Sequence, residues 1–132
     1  MALKITLKPN EKLIVSSAVI VNGKNRSEFI LENTVPILRE KDILSFKDAD
    51  SPCKRIYFVI QLMYVDNKNM AAHHQSFWEL VKDVLEAAPS TRPLLQAISD
   101  SILAGEYYQA LKTARKLIAY EKEVMDRVRK PA

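Results

Sequence analysis

"KLIVSSAVIVNGKNRSEFIL", Lys12 to Leu31, decides the fold class. "KLIVSSAVIV" is dense in β-branched residues, which suit the pleated chain. Asn22-Gly23, between "AVIV" and "EFIL", has the composition of a two-residue hairpin turn, so Val21 and Asn22 are expected to pair back toward Ser27 and Glu28. Neither "AVIV" nor "FIL" alternates with polar residues. Such strands lack a wet face and need cover from the C-terminal helices or from a second copy of the chain. Upstream, "LKITL" (Leu3 to Leu7) alternates as a half-buried strand does. Downstream, "VPILREKDIL" (Val35 to Leu44) sets an apolar strand against Arg39, Glu40, Lys41 and Asp42. It reads as a solvated strand exit with Glu40 and Asp42 on one exposed face.

Past Asp50 the apolar period changes from two to 3.6. Ser51 suits an N-cap and Pro52 a first helical position, and Ile56, Val59, Ile60 and Met63 follow at helical spacing. A second helix is expected from about Asn69 to Ala88 on the stripe Phe77, Leu80, Val81, Val84 and Leu85, stopped by Pro89. A third begins at Ser90-Thr91 and runs through Leu94, Ile98 and Ile102 to Gly105, which fits a left-handed position after a helix. The last, "EYYQALKTARKLIAYEKEVMDRVRK", carries Leu111, Ala114, Ile118, Met125 and Val128. The expected fold is α+β: a small N-terminal antiparallel β-sheet, residues 1–48, followed by about four α-helices in residues 49–132.

The 132 residues are 48% hydrophobic and 27% charged, which excludes a disordered chain. No apolar run approaches the roughly 20 residues that cross a bilayer, and "MALKITLKPNEK" is no signal peptide, so a cytoplasmic protein without a membrane partner is expected. Cys53 is the only cysteine, which excludes an intrachain disulfide and a cysteine-based zinc site. The net charge of +4 is unevenly spread. In residues 1–27, Lys4, Lys8, Lys12, Lys24 and Arg26 meet Glu11 alone; residues 28–50 turn acidic, and the last helix is basic again.

Little in the chain suggests catalysis. His73 and His74 are neighbours on a helix and project about 100° apart, so they cannot face one metal together. Two glycines leave no glycine-rich phosphate loop and no dinucleotide fingerprint, and no cofactor is expected. Cys53 sits where a helix dipole could lower its thiol pKa, but no nearby histidine supports a nucleophile. With no convergence of acid, base and nucleophile, the chain reads as a binder rather than an enzyme. Among the aromatic residues, Phe58 and Phe77 belong to the core. Trp78 and Tyr107 flank a filled stripe, and an outward ring there would suit a protein surface or an unstacked RNA base.

"MALKITLKPNEKLIV", "PILREKDIL", "KRIYFVIQLMY", "VLEAAPS" and "ILAGEYYQALKTARKLIAYE", in this order over nearly the whole length, together resemble the FlbT family of bacterial flagellar regulators. The resemblance implies a cytoplasmic protein that binds the 5′ untranslated region of flagellin mRNA. Such a protein controls translation and degradation of that message, repressing in some bacteria and activating in others, in partnership with the flagellar protein FlaF. Residues 1 to about 44 are also similar, more weakly, to the carbon-storage-regulator family of small RNA-binding proteins. In that family the first strand, and the last strand with its arginine, come from two chains of an interlocked dimer and flank each RNA site.

Carried over, this likeness implies Leu3, Lys4, Ile5 and Thr6 of "LKIT" and Arg39 of "LREKDI" as RNA contacts. The chain departs from that family at Asn10 and Ser16, where glycine is usual, at Val35-Pro36 in place of Ala-Pro, and by an extra residue between Arg39 and Ile43. A guanidinium at a strand exit, beside an acid that orients it, presents a planar fork to a phosphate or a guanine edge. Lys4, Lys8 and Lys12 would supply salt-sensitive attraction. The alternative for Arg39 is an internal bridge to a neighbouring acid. For the whole chain the alternative is a protein-binding adaptor or chaperone-like cofactor acting on flagellin or FlaF, with only an indirect effect on mRNA. The two-sided strands are compatible with a symmetric homodimer.

Overall fold

In the computed structural model, which describes residues 2–129, five strands precede four α-helices, so the architecture is α+β in the expected order. The chain divides between Ile43 and Leu44 into two compact units.

The strands form two antiparallel sheets rather than one. In the first, β1 (Leu3–Leu7) pairs with β4 (Ser27–Leu31), with Ile5 opposite Phe29. In the second, β2 (Lys12–Val15) lies between β3 (Ala18–Val21) and β5 (Ile37–Arg39), so that Ile14 opposes both Val19 and Leu38. Alternation along the strands brings Ile5 and Leu7 of one sheet against Leu13 of the other. Val15, Phe29, Leu31 and Ile37 close this core at its margins.

The hairpin expected at Asn22-Gly23 does not form, because β3 and β4 lie in different sheets. A type I′ turn needs positive φ at both central residues, and neither Asn22 nor Gly23 adopts it. The Asn22 side chain is engaged elsewhere, with the carbonyls of Leu7, Lys8 and Asn25. The tight turn sits instead at Ser16-Ser17, inside what reads as one β-branched run. Val15 there opposes Ala18, and Ser16 takes φ 54°. Asn10, at φ 63°, is the other non-glycine residue in the left-handed region among the described residues. These are the two positions at which the carbon-storage-regulator likeness carries glycine, the residue that adopts positive φ without steric cost. Beyond Arg39 the chain turns through a short 3-10 helix, Glu40–Asp42. Asp42 is buried there, so the exposed carboxylate pair expected at the strand exit is corrected to one exposed acid, Glu40, and one enclosed acid.

The helices follow their sequence signals closely. α1 (Pro52–Val65) starts on Ser51, whose Oγ accepts from Lys54 N at 3.2 Å, and buries Ile56, Val59, Ile60 and Met63. α2 (Met70–Ala87) ends two residues before Pro89 and buries Phe77, Val81 and Val84. A 3-10 turn, Pro89–Thr91, leads into α3 (Arg92–Leu103), and Gly105 follows with φ 75°. α4 (Tyr107–Arg129) packs against α1 and α3, and α1 packs against α2. Leu111, Ala114 and Leu117 carry the α4 stripe into the core, whereas Met125 and Val128, expected on the same stripe, are exposed. The Gln61 amide acts as a backbone surrogate, accepting from Leu44 N at 2.9 Å and donating to Leu44 O at 3.0 Å. No helix of the described residues is long and apolar enough to cross a membrane.

Candidate nucleic-acid interface

Arg39 closes β5, and one hydrogen bond fixes its direction: Nη2 donates to the Thr6 carbonyl of β1 at 2.8 Å. The bond crosses from one sheet to the other, so the guanidinium is held by both. Among the described residues Arg39 makes no ion pair, and its other N–H groups have no partner. The orienting group is therefore a backbone carbonyl rather than the neighbouring acid that the sequence suggests. Five N–H donors fan out from a guanidinium, so one anchoring bond leaves most of the fork available.

Two concavities open beside Arg39. One, of about 600 Å³, is lined by Lys8, Pro9, Asn10, Glu11, Arg39, Glu40 and Lys41. The other, of about 530 Å³, is lined by Thr6, Lys8, Glu11, Arg26, Arg39 and Lys41. Lys8, Arg26, Arg39 and Lys41 thus surround a depression that holds two carboxylates, Glu11 and Glu40. Both acids are turned to backbone amides. Glu11 Oε1 accepts from Lys8 N at 2.8 Å, and Glu40 Oε1 accepts from Lys12 N at 3.3 Å. Four cations against two carboxylates leave the depression net positive, so it favours negative charge.

Of the residues singled out from sequence, the structure brings Thr6, Lys8 and Arg39 together. Lys4 faces outward from β1 in an exposed ion pair with Glu28 at 2.9 Å. Leu3 is half exposed at the start of β1, and Lys12 is exposed at the start of β2; neither lines the depression. Ile5 is corrected outright: it is 0% exposed in the inter-sheet core, so its side chain cannot reach RNA. Two further cations line the depression. Lys41 follows Arg39 by two positions but is carried round by the 3-10 turn, and Arg26 lies in the loop between β3 and β4. The run Lys24-Asn25-Arg26 was the available signal for the second.

The profile of the flagellar protein FlbT matches residues 3–125. A probable flagellum biosynthesis repressor protein, FlbT 1, of Bradyrhizobium diazoefficiens is 45% identical over 125 residues, covering 94% of this chain and 85% of the relative. The chain belongs to the FlbT family. The probable flagellum biosynthesis repressor FlbT of Rhodopseudomonas palustris strain TIE-1 is 40% identical over 127 residues, 96% of this chain and 100% of the relative. The flagellum biosynthesis repressor FlbT of Caulobacter vibrioides strain ATCC 19089 is 36% identical over 130 residues, 97% of this chain and 92% of the relative. No solved structure matches the chain. Membership in this family supports a regulatory role in flagellar synthesis.

His73 Nε2 lies 3.2 Å from Asp66 Oδ2, and no group of three or more histidine, cysteine, aspartate or glutamate residues is placed to hold a metal among the described residues. Burial, reinforced by the nearby Glu121 carboxylate, pushes the Cys53 thiol up to about 12, opposite to the lowering expected at a helix start. Trp78 is exposed, as the flanked stripe suggested; Tyr107 is half-buried, while Tyr108 is exposed with Lys112 Nζ 5.3 Å from its ring centre. Phe58, assigned to the core, is half-buried and meets the exposed Phe46 edge-on.

Proposed function

We propose that this family member is a cytoplasmic post-transcriptional regulator of flagellin synthesis that binds the 5′ untranslated region of flagellin mRNA and controls its translation and degradation. The observation that carries the reading is the Arg39 guanidinium, anchored at one corner to Thr6 O and otherwise directed to a depression ringed by cations. A rigid fork that needs no rearrangement on binding suits phosphate or the guanine edge. Glu40 lines the same depression with one oxygen turned to a backbone amide, and as a carboxylate it would repel a phosphate rather than hold it. Regulation then follows from occupancy: a protein seated on the leader competes with ribosomes or exposes the message to nucleases.

Partners follow from the same surfaces. β3 is exposed throughout, with Val19 at 62% and Val21 at 60%, and Ile30 of β4 is 64% exposed. A second copy of the chain would cover this apolar surface, and light scattering should return a dimer mass. In the same reading FlaF docks on the helical unit, where an apolar groove of about 360 Å³ is lined in part by Pro52, Val84, Ala87, Val124 and Met125. Arg39→Ala should weaken binding to a flagellin leader RNA by more than tenfold while the chain stays folded. A salt series discriminates the adaptor reading: RNA held through phosphates gives a log–log slope near −0.7 per contact on a single strand. A flat response would leave the adaptor acting on FlaF or flagellin.

A further inference from the structure

The cations around Arg39 come from separate stretches of chain, and two of them sit on loops. Lys8 opens the turn between β1 and β2, and Arg26 belongs to the loop between β3 and β4. One side chain ties those loops together. The two hydrogens of Asn22 Nδ2 are shared among the carbonyls of Leu7 at 3.2 Å, Lys8 at 2.8 Å and Asn25 at 3.0 Å. Asn22 Oδ1 accepts from Ser27 Oγ at 2.8 Å. Backbone bonds run beside it, from Asn10 N to Gly23 O and from Asn22 N to Glu11 O, each at 2.9 Å. The amide thus contacts both strand ends and both loops, and it fixes the separation of Lys8 from Arg26.

We propose that Arg26 and Lys41 complete, with Lys8 and Arg39, a cradle for successive phosphates of single-stranded RNA, and that Asn22 is the positioning residue that holds the cradle open. The inference rests on the RNA-binding reading above. Lys8, Arg39 and Lys41 line both concavities, whereas Arg26 lines only the one that also reaches Thr6. A strand crossing Arg39 would place one phosphate on each side of it, with Arg26 serving one side and the Pro9-Asn10 turn bounding the other. Only a group with donors and an acceptor in one plane satisfies the four partners of Asn22. Aspartate keeps the size but turns a carboxylate on three carbonyls, which forces the two loops apart.

The test is the salt dependence of binding to a flagellin leader RNA, measured with the full chain and with Arg26→Gln, Lys41→Gln, Asn22→Asp and Lys24→Gln, each checked for folding by circular dichroism. Arg26→Gln and Lys41→Gln should each make the log–log slope shallower by about 0.7, the share of one phosphate on a single strand. Asn22→Asp should lose about the share of two contacts, Lys8 and Arg26 together, with Arg39 still required. Lys24, in the same loop but outside the lining, should leave the slope unchanged. A wild-type slope in both Arg26→Gln and Lys41→Gln, alongside lost binding in Arg39→Ala, would overturn the cradle and leave the RNA reading standing. Equal losses in Lys24→Gln and Arg26→Gln would overturn it in favour of diffuse positive charge. If Asn22→Asp fails to fold, Ser27→Ala, which removes one bond to the same amide, takes its place with the same readout. No binding by the unaltered chain would sink both ideas together.

Discussion

The β unit and the helical unit differ in how fully each satisfies itself. In the helical unit Ile56, Ile60, Phe77, Ile98, Leu111 and Leu117 are all fully buried, the start of α1 is capped by Ser51, and Gly105 follows the end of α3. In the β unit the inter-sheet core rests on Ile5, Leu7 and Leu13, while Val19, Val21 and Ile30 stay in solvent. Fully burying such a side chain contributes about 1.5–3 kcal/mol, so these three, even with Ile14 and Leu38 also buried, weigh little against the entropy of ordering five strands. The less complete unit is also the one in which Arg39, anchored to a single backbone carbonyl, lines a depression ringed by cations. A surface is available for a partner where the chain has not used its own groups on itself.

Four substitutions or measurements probe this contrast. The largest effect belongs to Phe77→Ala, which should cost the helical unit about 3–5 kcal/mol in urea unfolding. A loss under 1 kcal/mol would mean that the helical core is as loose as the β core. Glu121 comes next. Its Oε1 accepts from Ser51 Oγ at 2.5 Å and its Oε2 from Cys53 N at 3.2 Å, so an α4 carboxylate caps the start of α1. Glu121→Gln removes the charge from that helix N-terminus and should cost about 1–2 kcal/mol. No change on denaturation would show that Ser51 caps α1 unaided.

Ser16→Gly works in the opposite direction and on the other unit. Relief of the left-handed strain at φ 54° should raise stability by about 1 kcal/mol, read as a higher midpoint of thermal unfolding. A lower midpoint would show that the serine makes the turn for another reason. The smallest effect is chemical. With its thiol pushed up to about 12 by burial and by Glu121, Cys53 is protonated at pH 8. It should react with iodoacetamide far more slowly in the native chain than in urea. Equal rates would show that the helical unit opens readily around it.

The two units were also unequally legible. Helix starts and stops depend on local chemistry, so Ser51-Pro52, Pro89 and Gly105 could be read from neighbours alone. The strands were harder, because pairing is a choice among distant partners. Asn22-Gly23 has hairpin composition, yet the Asn22 amide meets the carbonyls of Leu7, Lys8 and Asn25, and β3 and β4 go to different sheets. "IVSSAV" has β-branched residues on both sides of Ser16-Ser17, so propensity ran straight through the real turn. Arg39 stood out by its place after an apolar strand. Arg26 and Lys41 did not, since their meeting with Lys8 is made by tertiary structure. Exposure of Met125 and Val128 was equally hidden: a helical stripe says which side is apolar and nothing about where its neighbours end.

The Asn22 side chain has a consequence for the lifetime of the molecule. Asparagine followed by glycine is the pair in which the backbone nitrogen most easily attacks the side-chain amide, expelling ammonia through a succinimide ring. Here that amide is clasped by three carbonyls, so the attack has to wait until the loop opens. A molecule that did age in this way would carry a new negative charge between Lys8 and Arg26. It would keep its helices and, on the RNA-binding proposal, hold its message more weakly.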